Sequence, residues 1–166
     1  MPWLERAITL LQGGGCDPVV VVLGADADAA AHLVPNDPRV VSVVSDNWSQ
    51  GMGASLRDGM AAVEQHAPTA PAVVITLVDL PDLARDVVLR VAEDATASSL
   101  RQATFDSRPG HPVVVGRDHW SGFAAALSGD TGGKVYLRTA GATTVECGDL
   151  GDGRDIDTVE QLRRSQ

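Results

Sequence analysis

Positive charge is scarce in this chain. Its 166 residues hold 13 Lys and Arg against 22 Asp and Glu, a formal charge of −9, and no run or stripe of basic residues breaks that balance. Such a surface repels a polyanion, which argues against nucleic acid as a partner. A bound phosphate would need a metal ion or local backbone N–H groups to offset the protein's own field. Cysteine is sparse as well: Cys16 and Cys147 stand far apart, in no metal-ligand spacing. They read as small buried or half-buried residues of a reducing compartment and do not suggest a zinc site. No apolar stretch approaches the ~20 residues needed to cross a bilayer, and the amino terminus shows no basic-then-apolar signal region. No membrane association is expected, and the cytoplasm is the expected location. Internal repeats and low-complexity linkers are lacking too, and the length suits one domain over residues 1–166.

What is present alternates between two periods. Trp3 to Gln12 carries Leu4, Ala7, Ile8 and Leu11 at helical spacing and runs into Gly13-Gly14-Gly15, a helix stopped by glycine. Val19 to Leu23 and Val40 to Val44 read as buried strands, with a short alanine-rich helix up to Leu33 between them. A helix from Ser55 to Gln65 precedes a third strand, Val73 to Val78. Alternation of this kind predicts parallel strands joined by crossover helices, an α/β fold. The second half predicts a helix over Arg85 to Ala97 and an antiparallel strand pair, Arg101 to Phe105 with Pro112 to Val115, around a turn at Ser107 to Gly110. Helices over His119 to Leu127 and Gly133 to Thr139 follow, then a strand over Thr143 to Cys147. A last helix covers Thr158 to Arg164, with Thr158 and Gln161 spaced as a capping box.

Chemistry concentrates at a few junctions. The run Ala72 to Val78 has no charge and no polar alternation, as expected of a strand buried on both faces, and ends in Asp79 before Leu80-Pro81. A carboxylate at the carboxyl end of such a strand can hold a divalent cation against a phosphate, or it can simply cap the following turn. The segment Asn47 to Leu56, with Gly51 and Gly53, links a strand to a helix. Its first-turn N–H groups suit an anion or a base carbonyl, or Ser55 serves as an ordinary helix cap. Gly110-His111-Pro112 places a histidine in a turn. Asp130 to Lys134 combines an acid, glycines and a helix start, with Lys134 read as a solvated surface residue. Asp157 could supply a second metal ligand or only favour the terminal helix.

In this order the pieces resemble the molybdenum cofactor nucleotidyltransferases, most closely the cytidylyltransferase branch. The likeness rests on Leu4-Glu5-Arg6-Ala7, Val22-Leu23-Gly24-Ala25, the Asn47 to Leu56 loop, Leu77 to Pro81, Gly110 to Val113, Gly129 to Gly133 and Asp155 to Thr158. It implies a three-layer α/β/α domain of the nucleotide-diphospho-sugar transferase type with a mostly parallel, Rossmann-like sheet. It also implies transfer of CMP from CTP to a phosphorylated pterin, with release of pyrophosphate. Asp79 would hold Mg²⁺, with Asp157 as a second ligand. Asn47, Gly51, Met52, Gly53 and Ser55 would hold the nucleotide, and His111, Pro112, Asp130 and Gly132 would face the acceptor. A guanylyltransferase on a related acceptor and a non-catalytic nucleotide-binding or chaperone-like homologue are the alternatives. A molybdoenzyme is the implied protein partner.

The chain departs from that family in one respect. The family's opening strand and its glycine-rich, Arg-bearing triphosphate loop have no counterpart before the first helix, and no basic residue precedes Arg6. The expected consequence is a gap in the sheet, with unpaired backbone and open apolar surface on Val19 to Leu23 or Val73 to Val78. An internal Met taken as the start is the favoured account. A strand supplied by another segment or subunit, or a chain that has lost turnover, are the other two.

Overall fold

The computed structural model describes residues 1–154. Helix α1 spans Trp3–Gly13, and strands β1 (Val19–Leu23) and β2 (Val40–Val44) flank the short helix α2 (Ala27–Ala31). Then come α3 (Met52–His66), β3 (Ala72–Ile75), α4 (Arg85–Ala92), β4 (Leu100–Phe105) and β5 (Arg108–Gly116). The described part closes with α5 (Trp120–Ala126), α6 (Lys134–Thr139) and β6 (Thr143–Glu146). The terminal helix expected over Thr158 to Arg164 lies outside the described residues, as does Asp157.

The strands form two sheets. β1 and β2 pair in parallel, and four strands pair in the order β3-β5-β4-β6. Within the larger sheet β3, β4 and β6 share one direction, and β5 alone runs against them. Side chains along β5 alternate between its two faces, as a pleated strand requires. Val113 and Val115 join Met60, Trp120, Phe123, Leu127 and Leu137 under α3, α5 and α6. Val114 joins Val87, Val91, Ala103 and Phe105 under α4. Two helical layers thus cover one sheet, and each fully buried Val or Phe contributes about 1.5–3 kcal/mol of transfer free energy. A third cluster, built on Ile8, Val19, Val21 and Leu23, packs α1 and α2 on β1.

The expected opening is present. Among the described residues β1 and β3 pair with other strands but not with each other. Val19 to Val22 and Ala72 to Val78 both line an open cleft of about 1710 Å³. Consistent with a strand open on one side, all four residues of β3 are only half-buried. Helices α1 and α3 bridge this opening. Helix α3 lies so close to β1 that a Cβ on Gly59 would stand 2.7 Å from Val22 Cγ2, while Met60 from the same helix enters the core of the larger sheet. The end of α1 presses on α4, where a Cβ on Gly14 would stand 2.3 Å from Val88 Cγ1. Arg6 of α1 donates to the Pro81 carbonyl at 2.7 Å.

Several expected boundaries move, each for a local reason. The third strand ends at Ile75, paired with Val113, and does not continue to Val78. The next residue on β5 is Pro112, which has no N–H to donate. The β4–β5 turn is Asp106-Ser107, two residues before the expected Ser107 to Gly110. Both residues have positive φ (50° and 65°), as a tight two-residue hairpin requires. Helix α3 begins at Met52, so Ser55 is inside its first turns and does not cap it. Helix α4 stops at Ala92, short of the expected Ala97.

The hairpin turn is held from a distance. The Glu146 carboxylate accepts the Thr104 hydroxyl at 2.8 Å and the backbone N–H groups of Asp106, Ser107 and Gly148 at 2.8, 3.1 and 2.9 Å. The Thr104 hydrogen bond foremost, with those N–H donors, pulls its pKa from the ordinary 4.5 down to about 2. Because the folded value lies below the unfolded one, this carboxylate contributes stability at pH values above about 4.5, and the contribution is lost as pH falls through about 2. Glu146→Gln is therefore expected to lower the melting temperature at neutral pH and to flatten its dependence across that acid window. Melting curves of the two proteins from pH 2 to pH 7 check this; parallel curves would mean that the carboxylate does not hold the turn.

Candidate functional site

The polypeptide leaves β3 through Thr76 and Leu77 into a turn at Val78-Asp79. Asp79 is half-buried and its Oδ1 is buried without a hydrogen-bond partner. No other described side chain shows a buried, unpartnered N or O atom except Thr76 Oγ1, in the same segment. Carboxylate oxygens in native proteins are rarely left in this state, because an unmet acceptor forfeits its desolvation cost. The Arg6 bond to Pro81 fixes the far end of the turn. An unpartnered carboxylate oxygen at the carboxyl end of a strand is a donor that suits a hard divalent cation. Among the described residues no group of three or more His, Cys, Asp and Glu is placed to hold a metal. A cation here would therefore combine Asp79 with neutral oxygens and with the phosphates of a ligand, since Asp157 lies outside the described residues.

Two of the sequence's glycine loops, far apart in the chain, meet. Gly51, the residue before α3, has φ 108° and ψ 172°. A Cβ there would stand 2.7 Å from Asp130 Oδ1 and from the Gly129 carbonyl carbon. Asp130 Oδ1 accepts the Met52 N–H at 3.3 Å, and the Gly129 carbonyl accepts the Gly53 N–H at 2.8 Å. The first-turn N–H groups expected to be free for a ligand are thus already taken, and the group that takes one of them is an anion. Residues assigned from the resemblance to two different sides of the site, Gly51 to Gly53 and Asp130 to Gly132, form one structural unit. Gly132 is buried, with φ 53°, and a Cβ there would stand 3.3 Å from Met52 Cε. Asn47 is exposed and its Oδ1 accepts from Gln50 Nε2 at 3.1 Å, a bond within its own loop. The base of this loop is pinned by fully buried Ser45, whose hydroxyl donates to Asp58 Oδ2 on α3 at 2.6 Å.

Met52 and Ser55 line the cleft together with Thr76, His111, Gly132 and Lys134. His111 is half-buried and its Nδ1 stands 3.4 Å from the Ile75 carbonyl, next to the turn that carries Asp79. Pro112 is fully buried. It packs in the core at the end of the β3–β5 pairing, next to His111. Lys134 is exposed, as expected, and lines the cleft with Arg138, one helical turn further along α6. Neither forms an ion pair among the described residues. Sequence reasoning missed Arg138, although its i, i+4 spacing from Lys134 was a usable signal. It also missed Arg6 and Thr76, for which no local pattern gives a role. Half-buried Cys16 and buried Cys147 are both free thiols, and burial pushes the Cys16 thiol up to about 11, which keeps it protonated at neutral pH.

The family described as the MobA-like NTP transferase domain matches residues 1–145. A protein named nicotine blue oxidoreductase, from Paenarthrobacter nicotinovorans, is 35% identical over 97% of this chain and 81% of its own length. Among solved structures, Rv0371c from Mycobacterium tuberculosis superposes with a TM-score of 0.77 at 26% identity, covering 98% of this chain and 81% of that one. Its manganese complex gives a TM-score of 0.74 at 25% identity, over 98% and 84% of the two chains. The 4-diphosphocytidyl-2C-methyl-D-erythritol synthase of Anaerococcus prevotii shares the fold, with a TM-score of 0.75 at 12% identity over 98% of this chain and 83% of that one.

Proposed function

The chain belongs to the MobA-like NTP transferase family, and on that premise we propose that it transfers CMP from CTP to the terminal phosphate of a molybdenum cofactor pterin, releasing pyrophosphate. The observation that carries this reading is the buried, unpartnered Oδ1 of Asp79 at the rim of the β3 end. Mg²⁺ held there would offset the charge of two anionic reactants and polarise the phosphoryl group under attack. The protein's own residues bind and orient. Asp79 fixes the position of the cation, and the Arg6 bond to Pro81 holds the turn that presents it. Met52 and Ser55 border the nucleotide side of the cleft, on a loop whose backbone is already satisfied by Gly129 and Asp130. Recognition of base and ribose on that side therefore falls to side chains and carbonyls more than to helix N–H groups. Lys134 and Arg138, which form no ion pair among the described residues, line the cleft and would meet the phosphate of a pterin, and His111 lines the same cleft. Under this reading a molybdoenzyme receives the product, and the free thiols suit the reducing cytoplasm.

Calorimetric titration with CTP and with GTP, each with and without Mg²⁺, tests the reading, followed by pyrophosphate release on adding a phosphorylated pterin. CTP binding that depends on the metal, and release that depends on both substrates, is the expected result. A preference for GTP would move the assignment to guanylyl transfer. Binding without turnover would leave a nucleotide-binding module. A second reading has its own support in the 35% identity to a protein named as an oxidoreductase. Oxidation or reduction of nicotine blue by this chain, and no pyrophosphate release, would put that reading first.

A further inference from the structure

The two unpartnered oxygens of the β3 turn call for one explanation. Thr76 Oγ1 and Asp79 Oδ1 are both buried and neither has a hydrogen-bond partner, so they do not bond each other. Every other buried side-chain N or O atom among the described residues is satisfied. An orphaned buried hydroxyl gives up its hydration with no bond in return. Two orphans three residues apart, with none elsewhere in the described structure, mark a place where something outside the protein completes the bonding.

Thr76 is also the odd residue of its own segment. The stretch Ala72-Val73-Val74-Ile75-Thr76-Leu77-Val78 is otherwise wholly apolar, and valine would have the same shape and an equal fitness for extended backbone. The hydroxyl therefore adds a cost that packing does not repay. At the strand end, His111 has its Nδ1 3.4 Å from the Ile75 carbonyl. Thr76 lines the same cleft as Met52, Ser55 and Lys134.

We propose that Thr76 Oγ1 is a second protein ligand of the divalent cation that Asp79 holds. The inference rests on the reading of Asp79 given above. A hydroxyl oxygen is a hard donor suited to Mg²⁺ or Mn²⁺. Being neutral, it raises the number of protein ligands without adding negative charge beside a triphosphate. That matters in a chain of formal charge −9, where no group of three or more His, Cys, Asp and Glu among the described residues is placed to hold a metal. Thr76 thereby fixes the ion on the cleft side of the turn while Asp79 supplies the charge that retains it.

The test uses Mn²⁺ alone as the probe, with thermal unfolding in EDTA and calorimetric titration of Mn²⁺ on the wild type, Thr76→Val, Thr76→Ser and Asp79→Asn. Thr76→Val is expected to melt no lower than the wild type in EDTA, because an unpaired hydroxyl is replaced by a methyl group. Its Mn²⁺ affinity is expected to fall about tenfold. Thr76→Ser should return close to wild-type affinity, and Asp79→Asn should lose binding. Wild-type affinity in Thr76→Val, alongside loss in Asp79→Asn, would overturn this inference and leave the Asp79 reading in place. Wild-type affinity in Asp79→Asn, or no Mn²⁺ binding by the wild type, would overturn the Asp79 reading and this one with it. A lower melting temperature of Thr76→Val in EDTA would show that the hydroxyl bonds within the protein, which also overturns the proposal.

Discussion

Asp79→Asn abolishes metal-dependent nucleotide binding and leaves the fold standing. The second half of that expectation follows from what Asp79 does not do. It makes no hydrogen bond or ion pair among the described residues, and its Oδ1 is buried without a partner, so the protein loses no internal interaction when the carboxylate becomes an amide. The first half follows from charge. Under the proposed reading Asp79 supplies charge that retains the cation, and the amide supplies no formal charge to do so. The lost charge stabilisation is worth several kcal/mol in the transition state, on the order of a thousandfold in turnover. CTP titration with and without Mg²⁺, beside a melting curve in EDTA, measures both halves. Unchanged Mg²⁺-dependent affinity in the variant removes Asp79 from the site.

Gly51→Ala lowers stability by about 2–4 kcal/mol, a fall in melting temperature of roughly 6–12 °C for a chain of this size. Two costs add. At φ 108° and ψ 172° the backbone lies in a region that side chains avoid. The new Cβ would also stand 2.7 Å from both Asp130 Oδ1 and the Gly129 carbonyl carbon. The loop of residues 128–130 must move away, and with it go the bonds to the Met52 and Gly53 N–H groups. Gly15→Ala is the control, because that position shares a positive φ of 87° but has nothing within 4 Å of the new carbon. Circular dichroism melts of the two variants separate strain from collision. Equal losses would mean that the two loops do not lean on each other.

Local pattern carried far in the first half of the chain. β1 and β2 have the bounds that their valine runs predict, and α1 extends one residue past its expected end. Apolar runs and 3.6-residue spacing encode these elements within their own residues. β3 was legible as a strand but not in its length, since its end depends on Pro112 thirty-seven residues after Ile75. The hairpin turn was misplaced for a similar reason. Pro109 and Gly110 look like turn residues, yet Asp106 and Ser107 make the reversal, with Glu146 supplying acceptors for their N–H groups from the neighbouring parallel strand.

Within the candidate site, the sequence alone determined that an acidic residue stands where an apolar strand runs out and that glycine loops open two helices. With the family resemblance these features pointed to a metal-assisted nucleotidyl transfer. Only the tertiary structure decided which polar groups are satisfied and which are not. Asp130 takes a helix N–H from a loop 78 residues away, so the anion site the loop suggested is already filled. Lys134 and Arg138 turn out to face the cleft, Pro112 sinks into the core, and Thr76 joins Asp79 as the second unmet oxygen. The physical reason is the range of each effect. Hydrophobic periodicity is a property of neighbours in sequence, whereas satisfaction of a buried polar atom depends on whatever the finished packing brings within 3.5 Å of it.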